Sequence, residues 1–180
     1  MASKPFEAGV RKIFAPRLAE LGFARHGVRY FRPCPPWGVQ GLLLQQDKWN
    51  GTGFCRFSII AARSLMPGSD PARLIARAKA DEHFFDTVPG LIRGGVWLGE
   101  VTEVRRDFQY NYPPDDAAGI EAALREALAD IERYGLFWLR WGFRRRGVRH
   151  DTARRDASEA QQQAYFDEMR ARYPEPSEPA

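Results

Sequence analysis

The residues whose chemistry could support catalysis are few. Asp115-Asp116 is an adjacent acidic pair, and two carboxyl groups acting as acid and base are a common hydrolytic device. This pair follows Pro113-Pro114 and precedes a helical pattern, so helix capping and the helix dipole already account for it. Asp81, Glu82, His83 and Asp86 form the one mixed cluster of metal-ligand types in the chain. One helical turn would bring His83 and Asp86 together, but a zinc site takes a third and a fourth ligand. No His-Glu-x-x-His or Cys-x-x-Cys companion is present, and a solvated loop is the simpler reading. His26 and His150 stand alone and read as surface residues.

Nucleophilic catalysis needs a base within hydrogen-bond reach of a serine or cysteine, and no Gly-x-Ser-x-Gly elbow occurs. Cys55 lies between aromatic residues in a strand-like run and reads as a small buried hydrophobe, whereas Cys34 sits among prolines on a connection. Both phosphate-binding glycine fingerprints are absent, and Gly51-Thr52-Gly53 is a turn. No catalytic, cofactor-binding or metal-binding residue is assigned, and no cofactor is implied.

Two clusters suggest binding instead. Trp138, Arg140, Trp141, Phe143, Arg144, Arg145, Arg146 and Arg149 combine guanidinium groups with aromatic rings. That composition suits single-stranded nucleic acid, since arginine neutralises phosphate and rings stack on bases. The competing reading is a solvated run behind a helix C-terminus, compensated by the acidic residues of the tail, with Trp138 and Leu139 in the core. The second cluster is Gln45, Gln46, Lys48, Trp49 and Asn50 at a turn. A tryptophan at a hairpin tip with amides beside it would anchor a protein interface; packing of Trp49 back onto the strand is the alternative. Gln46, Lys48 and Trp49 are therefore the candidate protein interface, and Arg144, Arg145, Arg146 and Arg149 the candidate nucleic-acid contact.

The framework that must position these residues is ordinary in composition. With 180 residues, 44% hydrophobic and 13% aromatic, the chain can bury a core as one domain. It lacks an apolar run of membrane-spanning length and the apolar core of a secretory signal. Two cysteines without Cys-x-x-Cys spacing fit reduced thiols in a cytoplasm. The net charge of +4 is carried mostly by arginine, a bias that a GC-rich genome explains as well as an anionic ligand does.

The stretch that organises the rest runs from Gly38 to Ala62. Val39–Gln46 and Phe54–Ala62 read as antiparallel strands around an Asn-Gly turn, placed at the centre of a sheet. Before them, Phe6, Val10, Ile13, Phe14, Leu18 and Leu21 form a helical stripe, kinked or divided at Pro16 and capped at Gly22. Val28–Pro33 reads as a strand. Asp70-Pro71 opens a short helix carrying Leu74, Ile75 and Ala78, followed by a loop from His83 to Gly90. Leu91–Gly99 fits a bulged strand or short hairpin, and Asp107–Tyr112 a half-buried strand. Ile120, Ala123, Leu124, Ala127, Leu128 and Ile131 mark a long late helix that Gly135 is expected to end, with Leu136–Leu139 folding back as an apolar plug.

The expected architecture is α+β: one antiparallel sheet packed by N-terminal and C-terminal helices, in a single domain spanning residues 1–141. Residues 142–180 form an arginine-rich segment and a polar, partly helical tail.

Three segments resemble the uncharacterised bacterial DUF 4304 family. They are the opening helix Phe14-Ala15-Pro16-Arg17-Leu18-Ala19-Glu20-Leu21-Gly22-Phe23; Tyr30-Phe31-Arg32 with Leu44-Gln45-Gln46-Asp47-Lys48-Trp49-Asn50 leading into Phe54–Ile60; and Tyr134-Gly135-Leu136-Phe137-Trp138-Leu139. The likeness covers about residues 6 to 140 and leaves the basic tail outside. It implies an α+β domain of the bacterial cytoplasm and supplies neither an activity nor catalytic residues. On these grounds the chain is expected to be a non-catalytic protein-binding module with an unidentified protein partner. Nucleic-acid binding through the arginine segment, or an enzyme with an unrecognised site, is the alternative. No membrane association is expected, and the oligomeric state is left open.

Overall fold

The computed structural model describes residues 4–34, 38–48, 50, 53, 55–65, 70–85, 93–102, 109–141 and 164, with the backbone alone at 65, 93, 94 and 141. Its centre is the expected hairpin. β3 (Gly38–Gln46) and β4 (Cys55–Leu65) pair in antiparallel register from Gly38↔Leu65 to Gln46↔Phe57. On one side β3 pairs β2 (Arg29–Cys34), which pairs β1 (Ala24–His26). On the other side β4 pairs both β5 (Arg93–Trp97) and β6 (Tyr110–Tyr112) at different heights. The result is a six-stranded, wholly antiparallel sheet in the order β1-β2-β3-β4-β5, with β6 also on β4.

Pro33 lies inside β2 rather than ending it, and the register explains why. Val28 O accepts from Leu44 N. Hydrogen-bonded and non-hydrogen-bonded pairs alternate from there, so Pro33, opposite Val39, is a position where no N–H to β3 is needed.

The sheet is covered on both faces, which is why β3 reads as a nearly continuous apolar run rather than an alternating one. Tyr30, Leu42, Leu44, Phe57, Ile59, Ala61, Tyr110 and Tyr112 point toward the N- and C-terminal helices and form the larger core. Phe31, Val39, Ile60 and Ala62 point the other way, under α3 (Pro71–Ala80). This second layer goes beyond the expectation of terminal helices alone. Leu74 and Ala78 seal it together with Phe84 and Phe85, which lie in the turn after α3 and are buried. Gly41 leaves room for them: a Cβ there would stand 2.7 Å from Phe84 Cε1 and 2.9 Å from Phe85 Cζ.

The first helix is α1 (Lys4–Gly9), which runs through a π-helical turn (Val10–Phe14) into α2 (Ala15–Glu20). Pro16 was expected to kink or divide this helix. Instead the chain widens by one residue just before it, Ala15 N–H bonding Val10 O, and Pro16 falls in the first turn of α2, where its missing N–H is tolerated. Gly22, at φ 83°, closes α2 as expected. Phe23 N donates to Leu18 O and Gly22 N to Ala19 O, the paired bonds of a Schellman cap.

α4 (Ala117–Asp130) begins at Asp116, whose side chain accepts from Ala118 N. Gly135 does not end the helix. A second π-helical turn (Ile131–Gly135) carries the chain into α5 (Leu136–Trp141), so Leu136–Leu139 is helical continuation rather than a plug folding back. The glycine serves packing instead, since a Cβ on it would lie 3.0 Å from Leu98 Cδ1. Arg17 bridges to the second π turn, Nε and Nη2 donating to the two carboxylate oxygens of Glu132 at 2.7 and 3.1 Å. These bonds hold the Glu132 carboxyl below its ordinary range. No helix among the described residues is long and apolar enough to cross a membrane.

Candidate interaction site

The turn between β3 and β4 is held by its own polar side chains. Asn50 Oδ1 accepts from Arg56 N at 2.8 Å, and Asn50 Nδ2 donates to Arg56 O at 3.0 Å. One asparagine thus replaces a missing strand pair. Asp47 N donates to Arg56 O, and the Asp47 carboxylate pairs with Arg56 Nε at 2.7 Å and accepts from Gln109 Nε2 at 3.3 Å. Together these bonds fix the end of the hairpin against the start of β6.

Of the candidate interface residues, Lys48 is exposed at this tip. Gln46 is half-buried, and its Nε2 donates to Tyr112 OH at 2.8 Å, so its amide ties β3 to β6. Burial pushes the Tyr112 phenol up to about 12, partly offset by the Gln46 donor. Trp49 lies outside the described residues. Beside the tip, Phe6, Glu7, Val28, Leu43, Leu44, Gln45 and Gln46 line an open, largely apolar groove of about 350 Å³. Val28, on its rim, is 46% exposed, the one large hydrophobic side chain so exposed among the described residues. β3 outruns β2 here: the last bond between them is Leu44 N to Val28 O.

The remaining chemical candidates fall into structural places. Asp116 is a helix cap. Asp81 follows α3 and its Oδ1 accepts from His83 N, a local turn; His83 is exposed, and Asp86 lies outside the described residues. Among the described residues no three His, Cys, Asp or Glu side chains gather as a metal site. Neither cysteine is in a disulfide: Cys55 is buried in the larger core and Cys34 is half-buried. Arg144, Arg145, Arg146 and Arg149 lie outside the described residues. Trp138, from the same sequence cluster, is buried with Arg63 Cζ 5.2 Å from its ring centroid.

Two polar arrangements were not anticipated. Buried Asp130 accepts from Tyr110 OH at 2.9 Å, where α4 meets the second π turn. Its position was legible, because residue 130 falls three beyond Ala127 on the apolar stripe. The other crosses the sheet. Arg32 on β2, Gln40 on β3 and Arg63 on β4 are direct cross-strand partners. Gln40, 2% exposed, accepts from Arg32 Nε at 2.6 Å and donates from Nε2 to Leu139 O at 2.9 Å and Cys34 Sγ at 3.2 Å. Arg32 Nη1 also donates to Leu21 O at 2.9 Å, and its guanidinium lies 4.6 Å from the Phe23 ring centroid. The row therefore fastens the C-terminal ends of α2 and α5 to the sheet. The signal was a period-two one: Gln40 shares a face with Leu42 and Leu44, and Arg63 with Ile59 and Ala61.

No protein family, curated protein or solved structure matches the chain.

Proposed function

We propose that this protein is a non-catalytic interaction module of the bacterial cytoplasm, related to the DUF 4304 family, that binds a protein partner through the β3–β4 turn and the adjoining groove. The observation that carries the reading is the bonding among the described residues of the β3–β4 turn. Asp47, Asn50, Arg56 and Gln109 bond to one another or to the backbone there, so the exposed Lys48 is presented beside residues already held in place, which lowers the ordering cost of binding. The groove adds apolar area next to it, with Val28 on the rim. Trp49, between Lys48 and Asn50 in sequence, is the natural aromatic anchor of such a surface.

The test is capture of partners from bacterial cytoplasm by the full chain, nuclease-treated, alongside Val28→Asp, Lys48→Glu and Trp49→Ala. Val28 and Lys48 are surface positions, and thermal melts of those variants should match the wild type. A protein retained by the wild type and lost from Val28→Asp or Lys48→Glu at unchanged stability supports the reading. Retention by all three folded variants refutes it. A second reading, nucleic-acid binding through Arg144, Arg145, Arg146 and Arg149, is favoured by the exposure of Arg140 at the end of α5, where that segment begins. Material lost on nuclease treatment would select it.

A further inference from the structure

β3 leaves part of its hydrogen-bonding edge open. Leu44 N donates to Val28 O, so the N–H and C=O groups of Leu42, Leu44 and Gln46 turn toward β2, and those of the residues between them turn toward β4. The bond from Asp47 N to Arg56 O fits the same alternation on the other side. β2 enters the ladder only at Arg29, opposite Leu43, whereas β3 continues to Gln46, opposite Phe57 of β4. Among the described residues, no strand meets the N–H and C=O of Gln46 on the β2 side.

The groove runs along this edge rather than over a face of the sheet. Leu44 and Gln46, with Phe6 of α1, line it from the side of the larger core, and Leu43 and Gln45 line it from the side of α3. Val28 closes one end. Side chains from both faces of one strand thus border the space that a neighbouring strand would fill. An open backbone edge is a template for pairing with another chain, and the apolar walls receive that chain's side chains. The one ionisable side chain lining the groove, Glu7, is paired with Arg25 at 3.3 Å, so the groove selects for apolarity rather than charge.

We infer that an extended, apolar segment of the partner protein adds to the sheet here as a short strand beside β3. Its backbone bonds to the N–H and C=O of Gln46, and an apolar side chain packs against Phe6, Leu44 and Val28. This rests on the proposed interaction surface and specifies its ligand: main-chain bonds give affinity, and alternate side chains give specificity. A second copy of the chain fits the edge poorly. Two β3 strands paired antiparallel about Gln46 would set Lys48 of one opposite Leu44 of the other, the place that Val28 already holds.

The experiment selects short random peptides from a displayed library on the full chain, and measures the enriched peptides in solution by fluorescence anisotropy. Val28→Asp tests the groove, and Gln46→Pro beside Gln46→Ala tests the edge, each variant with a thermal melt. Gln46→Ala loses the bond to Tyr112 OH and keeps the backbone N–H. Gln46→Pro loses both, at a position where, as at Pro33, no existing ladder bond is given up. Strand addition predicts enriched sequences that alternate apolar and polar residues. Their affinity should be about tenfold lower for Gln46→Pro than for Gln46→Ala, and should also fall with Val28→Asp. Methylating the peptide's backbone nitrogens should abolish binding at one alternate set and spare the other, a comparison that carries the test where Gln46→Pro does not fold. Apolar residues at helical spacing, or equal affinity for the proline and alanine variants with Val28→Asp still weakened, overturns strand addition and leaves the groove as the interaction surface. No enriched peptide, or peptides indifferent to Val28→Asp, overturns it too, and the capture experiment then decides the interaction surface separately. A concentration-dependent dimer in sedimentation that Gln46→Pro abolishes puts a second copy on the edge and likewise overturns the inference.

Discussion

Replacing Gln40 by leucine tests the physical account of the polar row most directly. The change removes the acceptor for Arg32 Nε and the donor to Leu139 O, at a position that is 2% exposed. A hydrogen bond to a charged group contributes about 1.5–3 kcal/mol, and stranding a buried carbonyl costs about 1–3 kcal/mol. Leucine returns part of this by burying apolar area, so the net loss should be about 2–4 kcal/mol. With a urea slope of about 1–3 kcal/mol per molar for a domain of this size, the unfolding midpoint should fall by roughly 1–2 M. Gln40→Glu separates the two halves of the effect. Glutamate keeps an acceptor for Arg32 but turns a carboxylate toward Leu139 O, so amide protection in α5 should drop even where the midpoint recovers. A leucine variant that loses less than about 1 kcal/mol with an unchanged slope would show that the row does not hold the helix ends, and the reasoning would fail.

Two further changes follow from the packing. Gly41→Ala places a methyl group against the Phe84 and Phe85 rings and should destabilise by about 1–3 kcal/mol in denaturant titration; an unchanged midpoint would mean the second core is loosely packed. The Tyr→Phe change should have opposite consequences at two buried tyrosines. Tyr112→Phe loses the Gln46 bond and should cost about 1 kcal/mol. Tyr30, whose buried hydroxyl has no hydrogen-bond partner among the described residues, should tolerate phenylalanine or gain stability. The folded Tyr112 phenol titrates near 12, above its ordinary 10. Its contribution is therefore complete below pH 10 and is lost as pH rises through the folded value. Alkaline unfolding curves should lose that component in Tyr112→Phe, and identical curves for wild type and variant would contradict the assignment.

The parts of the fold that were legible are those where local chemistry and tertiary packing agree. The Asn50-Gly51 turn and the apolar runs on either side gave the central hairpin, and Asp70, Asp116 and Gly22 marked helix ends because their capping needs no distant partner. Elements fixed by distant packing were not legible. β1 is three exposed residues, Ala24, Arg25 and His26, recruited only because β2 offers an edge. Phe84 and Phe85 read as loop because no periodicity surrounds them, yet Gly41, more than forty positions earlier, leaves the space they fill. Gly135 carried a stop signal that packing against Leu98 overrode.

The same distinction explains why the candidate sites divide as they do. Gln46, Lys48 and Trp49 stood out because a turn gathers neighbours in sequence, so composition alone makes a cluster visible. Arg32, Gln40 and Arg63 come from three strands. Each alone looks like a strand polar residue, and strand register is what aligns them. A buried glutamine beside two arginines on an otherwise apolar sheet face costs stability unless each donor finds an acceptor. The helix carbonyls of Leu21 and Leu139 meet that requirement for Arg32 Nη1 and Gln40 Nε2.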